Sequence, residues 1–156
     1  MGARRKKSKK LSGTNAERLL EQTTFFVDYC LGNQAGEALR AAGLSVEFHR
    51  EHFREDEPDL GWLPVVGKKG WVVLTKDKAI RRKLWERDAV LAAGIRMFTL
   101  PSGNMTGQEM GAVLCASRLR MARFLRKNNH PFIATVSQSG ITLVAVGQGG
   151  AEGAAR

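Results

Sequence analysis

The apolar positions of this chain change period repeatedly. Runs with large residues on both faces alternate with stretches in which apolar residues recur every three or four positions. The unbroken runs are TTFFVDYC (23–30), LSVEFH (44–49), WVVLT (71–75) and IRMFTL (95–100), too short for helices and rich in β-branched and aromatic residues. Such runs suit strands buried on both faces, as in the middle of a parallel sheet. The helical pattern occupies the stretches between them. NQAGEALRAAG carries Ala35, Ala38, Leu39 and Ala42 on one side and stops at Gly43. DKAIRRKLWERDAVLAAG does the same with Ile80, Leu84 and Leu91. DLGWLPVVGKKG predicts a short helix interrupted by Pro64, and REHFREDEP before it a charged loop.

Two Thr-x-x-Glu patterns, Thr14 with Glu17 and Thr106 with Glu109, mark helix starts. The second opens the longest predicted helix, Gly107 to about Asn128, with Met110, Leu114, Met121, Phe124 and Leu125 as its core stripe. PFIATVSQSGITLVAV closes the series as two strands turning at Ser139-Gly140. Strand–helix–strand alternation repeated this often predicts an α/β fold, a three-layer α/β/α sandwich on a mainly parallel sheet.

Charge divides the chain into three parts. Of the net +10, six positive charges lie in the first ten residues, MGARRKKSKK, with no acid among them. Residues 1–13 are therefore expected to be a disordered basic tail, an electrostatic arm for phosphate or simply a solubilising end. Residues 14–146 form the expected domain, and the Gly/Ala-rich residues 147–156 a second disordered tail. With two cysteines, no signal-like start and no apolar run of membrane-spanning length, the sequence predicts a cytoplasmic protein without membrane contact.

Three carboxylates acquire meaning from the topology. In a doubly wound sheet of order 2-1-3-4, the loops after strands one and three diverge and open a crevice at the carboxyl edge. Asp28 ends the first strand, Asp77 follows the third, and Asp59 opens the helix after the loop from the second. Asp59 or Asp77 alone reads more readily as a helix cap than as a ligand. Asp28 does not, because a carboxylate at so apolar a strand end needs a partner or counter-ion. Crowded together, the three would favour a hard divalent cation, Mg²⁺ or Mn²⁺, suited to hydrolysis of a nucleic-acid backbone. Thr75 could orient a carboxylate or be an ordinary strand residue. Lys76, Lys78, Arg120, Arg123 and Lys127 are candidate phosphate contacts, or plain solvated charge. His49 and His52 read as surface or hydrogen-bonded histidines, and Trp62 and Trp71 as core, Trp62 also being able to stack a base if exposed.

At these residues the sequence resembles the PIN-domain superfamily, and within it the PIN-like domains grouped with VapC-type toxins. The resemblance rests on FFVDYCLG, HFREDEPDLGWL, GWVVLTKD, FTLPSGNMTGQEM and NNHPFIATVSQSG, spanning roughly residues 25–141. It implies an Mg²⁺-dependent ribonuclease, a toxin neutralised by a cognate antitoxin, and a homodimer. It assigns Asp28, Asp59 and Asp77 to the metal. Typical PIN nucleases add a fourth acid near the last; here Asp88 lies along a helix and Glu55, Asp56 and Glu57 in a loop. The competing reading is a non-catalytic nucleic-acid-binding or protein-interaction module on the same fold. A receiver-like phosphorylation domain fits worse, since Asp28 stands without the acidic pair that chemistry needs.

Overall fold

A computed structural model describes residues 15–76, 84–101 and 104–147. Both expected tails, Thr14, Asp77, Lys78 and Ile80 lie outside them, apart from Gly147, whose N–H donates to the carbonyl of Pro131 at 2.9 Å. Six strands form one sheet in the order β2-β1-β3-β4-β5-β6. They are β1 Thr24–Val27, β2 Ser45–Phe48, β3 Val72–Thr75, β4 Arg96–Thr99, β5 Phe132–Ser137 and β6 Gly140–Val146. All neighbours are parallel except β5 and β6, the hairpin that turns at Ser139-Gly140. The helices are α1 Asn15–Gln22, α2 Asn33–Ala41, α3 His49–His52, α4 Asp59–Lys69, α5 Leu84–Ala92, α6 Gly107–Ala116 and α7 Arg118–Lys127.

The strand runs are apolar on both faces because the sheet has a core on each side. Phe25, Val27, Leu74, Phe98 and Phe132 face the larger core, beneath α1, α2, α6 and α7. Their neighbours Phe26, Val73, Met97 and Ile133 face the smaller one, closed by Trp62, Leu63 and Val66 of α4 and by Val90 of α5. Both layers of helix are thus present, and the sequence's α/β/α sandwich is what the chain builds.

The structure differs from the sequence pattern in four places. The long helix is broken at Ser117, whose ψ of 1° lies away from helical values, so α6 and α7 are separate. The guanidinium of Arg118 then donates to the Cys115 carbonyl at 2.6 Å, meeting an acceptor at the break. The charged loop contains one turn of helix, α3, held by the Glu51 carboxylate accepting from the Phe48 N–H at 3.0 Å. Pro64 does not interrupt α4, because it lies on the exposed side of a helix that continues to Gly70, a left-handed cap at φ 73°. On α5 the buried residue is Val90, whereas Leu84 is exposed, since only the later part of that helix lies over the sheet.

Candidate functional site

Asp28 follows β1 directly, its N–H still donating to the Leu74 carbonyl of β3 at 3.0 Å. Its side chain turns back to start the 3₁₀ turn Tyr29–Leu31. Oδ1 accepts from the Tyr29 N–H at 2.7 Å, and Oδ2 accepts from the Thr75 hydroxyl at 2.9 Å. Thr75 is buried at the end of β3, the strand beside β1, so sheet register brings the two together from 47 positions apart. The Cys30 thiol joins them, with Sγ 3.4 Å from Asp28 Oδ2 and 3.2 Å from the Thr75 oxygen. Burial beside Asp28 pushes that thiol up to about 12.

Burial raises the Asp28 carboxyl above its ordinary 3.8, against the pull of the Thr75, Cys30 and Tyr29 hydrogen bonds, and the charge of Asp59 adds to the rise. The carboxylates of Asp28 and Asp59, from distant segments, are therefore near enough at this edge for their charges to interact. Asp59 is the first residue of α4, with Pro58 rather than an acid as the cap, and its Oδ1 accepts from the Trp62 indole N–H at 3.1 Å. Trp62 is buried, so it serves the core and the acid at once and cannot stack a base. Asp77, the third predicted acid, lies outside the described residues, as does Lys78. Lys76 is half-buried immediately after β3.

The remaining predicted contacts lie farther off. Arg120 donates to the Gln138 carbonyl at 3.3 Å, beyond the carboxyl end of β5, while Arg123 and Lys127 are exposed. These three border a shallow cleft with Phe124 and Ile141. β5 and β1 are three strand spacings apart in the sheet, roughly 14 Å at about 4.8 Å each. Only Arg120, near the start of α7, is tied to the edge that carries the acids. Of the acids considered for a fourth position, Asp88 is exposed on α5. Glu55 bonds the Tyr29 hydroxyl, which holds that phenol proton more tightly than usual and places Glu55 beside the residue next to Asp28.

Sequence reasoning missed the side of the cleft made by β2 and α3. A cavity of about 340 Å³ is lined by Asp28, Tyr29, Gly32, Asn33, His49 and Arg50. His49 is neither exposed nor hydrogen-bonded: it is 3% exposed, its Nδ1 has no partner among the described residues, and Tyr29, Phe53 and Trp62 surround it. Its position directly after a strand, at the same edge as Asp28, was the available signal. His52 does match the expected bonded histidine, with Nε2 2.7 Å from Glu47 Oε1. With Glu47 and Glu51 it forms a compact, largely exposed trio of donor groups at the β2–α3 junction.

Among the described residues no helix is long and apolar enough to cross a membrane. A family model described as a PIN-like domain matches residues 23–102, the segment from β1 through the end of β4. The chain is also similar to a Mycobacterium tuberculosis protein named "Putative ribonuclease VapC45". The two are 36% identical over 124 residues, covering 76% of this chain and 89% of that one. No solved structure matches the chain.

Proposed function

The chain belongs to the PIN-like domain family, and on that premise we propose that it is a divalent-metal-dependent ribonuclease, the toxin of a toxin–antitoxin pair. The observation that carries this reading is Asp28 itself. Its carboxylate is desolvated beside a second carboxylate, an arrangement that disfavours its own charge. A hard cation would reverse that balance, so the residues present fit Mg²⁺ or Mn²⁺. Asp28, Asp59 and Asp77 would hold it. Bound there, such an ion supplies a water of lowered pKa and shields the phosphodiester under attack.

The chain's own residues do the rest. The Thr75 hydroxyl and the Tyr29 N–H each occupy one oxygen of Asp28, which fixes the carboxylate plane before any substrate arrives. Lys76 and Lys78 flank the third acid and are positioned in sequence to meet phosphates. Arg120, Arg123 and Lys127 extend the positive surface for a longer RNA. The relative's name supports the activity class; the antitoxin partner, a homodimer and a cytoplasmic site of action belong to the same proposal.

Calorimetric titration with Mn²⁺ and a ribonuclease assay test it together on the parent, Asp28→Asn and Asp77→Asn. Each variant is expected to lose Mn²⁺ affinity and at least about 100-fold in cleavage, the upper end of what removal of a mere outer partner costs. RNA binding that persists in a parent with neither Mn²⁺ affinity nor cleavage would instead establish the non-catalytic module.

A further inference from the structure

The cleft extends past the acids to a wall the metal has no use for. Three features of that wall point to one kind of ligand. First, α2 is preceded by Gly32, so no side chain caps its start, and Gly32 has φ 84° with open space where a side chain would stand. Uncapped N–H groups at the start of a helix favour an anion. Second, Arg50 lies over the Phe48 ring at 4.3 Å and donates one N–H to the Asn33 side-chain oxygen. A guanidinium has five donors, so an oriented fork remains for an oxyanion.

His49 is the third feature. Its Nδ1 is sealed without a partner, and a buried N–H left unpaired is rarer and costlier than an unpaired lone pair. The ring proton therefore belongs on Nε2, which leaves His49, a lining residue of the cavity, one donor to offer. Beside it stands Tyr29, 49% exposed, its ring edge-on to His49 at 5.9 Å and its hydroxyl tied to Glu55. An exposed aromatic held in place next to a donor suits the face of a nucleobase. The volume, about 340 Å³, lies at the lower end of the ~300–1,000 Å³ typical of small-ligand sites.

We propose that this wall is a nucleotide subsite: Arg50 and the start of α2 take the phosphate of one ribonucleotide, Tyr29 its base, and His49 Nε2–H an acceptor oxygen on it. The inference rests on the ribonuclease reading for the identity of the strand, and it names where the nucleotide flanking the cut bond is held. Burial explains why a histidine occupies this position. Packed among four aromatic rings, it holds its donor at a fixed angle.

The test separates this subsite from the metal. Full-length protein labelled with ¹⁵N-histidine, in EDTA, is titrated with each of the four nucleoside 5′-monophosphates while the imidazole nitrogens are followed by NMR. The chain has three histidines, so the signals are assignable by single substitution. Saturable binding of at least one monophosphate is expected, with the His49 nitrogens moving and those of His130 still. His49→Phe, which keeps the ring packing, and Arg50→Gln, at an exposed position, should each weaken that binding roughly tenfold or more. Both should retain the parent's Mn²⁺ affinity. No saturable binding, a motionless His49, or parental affinity in both variants would overturn the subsite. A parent that binds the nucleotide but no Mn²⁺ would overturn the metal reading and leave the subsite standing.

Discussion

Phe98 within the sheet and Asp28 just past its carboxyl edge are held in opposite senses. Phe98 lies on β4 within the larger apolar core, edge-on to Phe132 at 5.3 Å and to Phe124 at 6.0 Å. Asp28 sits at the carboxyl edge, desolvated beside another acid, with a sealed histidine lining the same cavity. One region gains free energy from its neighbours, and the other is kept in place by them. Substitutions should therefore separate stability from function along this line.

The largest expected effect is in the core. Phe98→Ala should cost about 3–5 kcal/mol, seen as a lower denaturant midpoint, while the cleavage rate per folded molecule stays near the parent's. A rate that fell with the protein still folded would mean that the two regions are coupled. Next is Thr75→Val, which keeps the β-branched shape at the end of β3 but removes the donor to Asp28 Oδ2. Mn²⁺ affinity should fall by roughly 10–100-fold, with a smaller change in thermal stability than Phe98→Ala produces.

The smallest effect concerns pH. The folded Asp28 carboxyl is raised above the 3.8 it has when exposed. As pH climbs from 3.8 through that raised value, the folded chain keeps a proton that the unfolded chain has released. Stability from this group is thus present at low pH and is lost as pH rises through the folded pKa. Asp28→Asn should melt above the parent at pH 7, and the difference should vanish below pH 3.8. Mn²⁺ should raise the melting temperature of the parent alone. A variant less stable than the parent at pH 7 would show that the Thr75 and Tyr29 hydrogen bonds outweigh the desolvation.

This contrast also explains what the sequence disclosed. Strands buried on both faces leave continuous apolar runs, so β1 to β4 and their order could be read directly, and with them the edge that carries Asp28. Helix continuity was less legible. The residues around Ser117 have a sustained helical period, which carries no sign of the break between α6 and α7. His49 was misread because its sequence neighbours, Arg50, Glu51 and His52, are polar. Its burial comes from Phe53 one helical turn on and from Phe26 and Trp62, which reach it only in three dimensions. Periodicity reports which face of an element is covered, and it is silent about a single residue at an element's end.

The placement of β1 between β2 and β3 sets an order of events during synthesis. β2 follows β1 closely and can pair with it early, yet that pair leaves Asp28 without the Leu74 carbonyl and the Thr75 hydroxyl that secure it. A nascent chain that stops short of residue 75 therefore contains the first acid with its local Tyr29 N–H partner and without the Thr75 hydroxyl. With translation at roughly 5–20 residues per second, the interval between Asp28 and Thr75 lasts seconds, long compared with hairpin or helix formation. The acid thus leaves the ribosome seconds before the strand that completes its hydrogen bonds, an interval written into the order of the sheet.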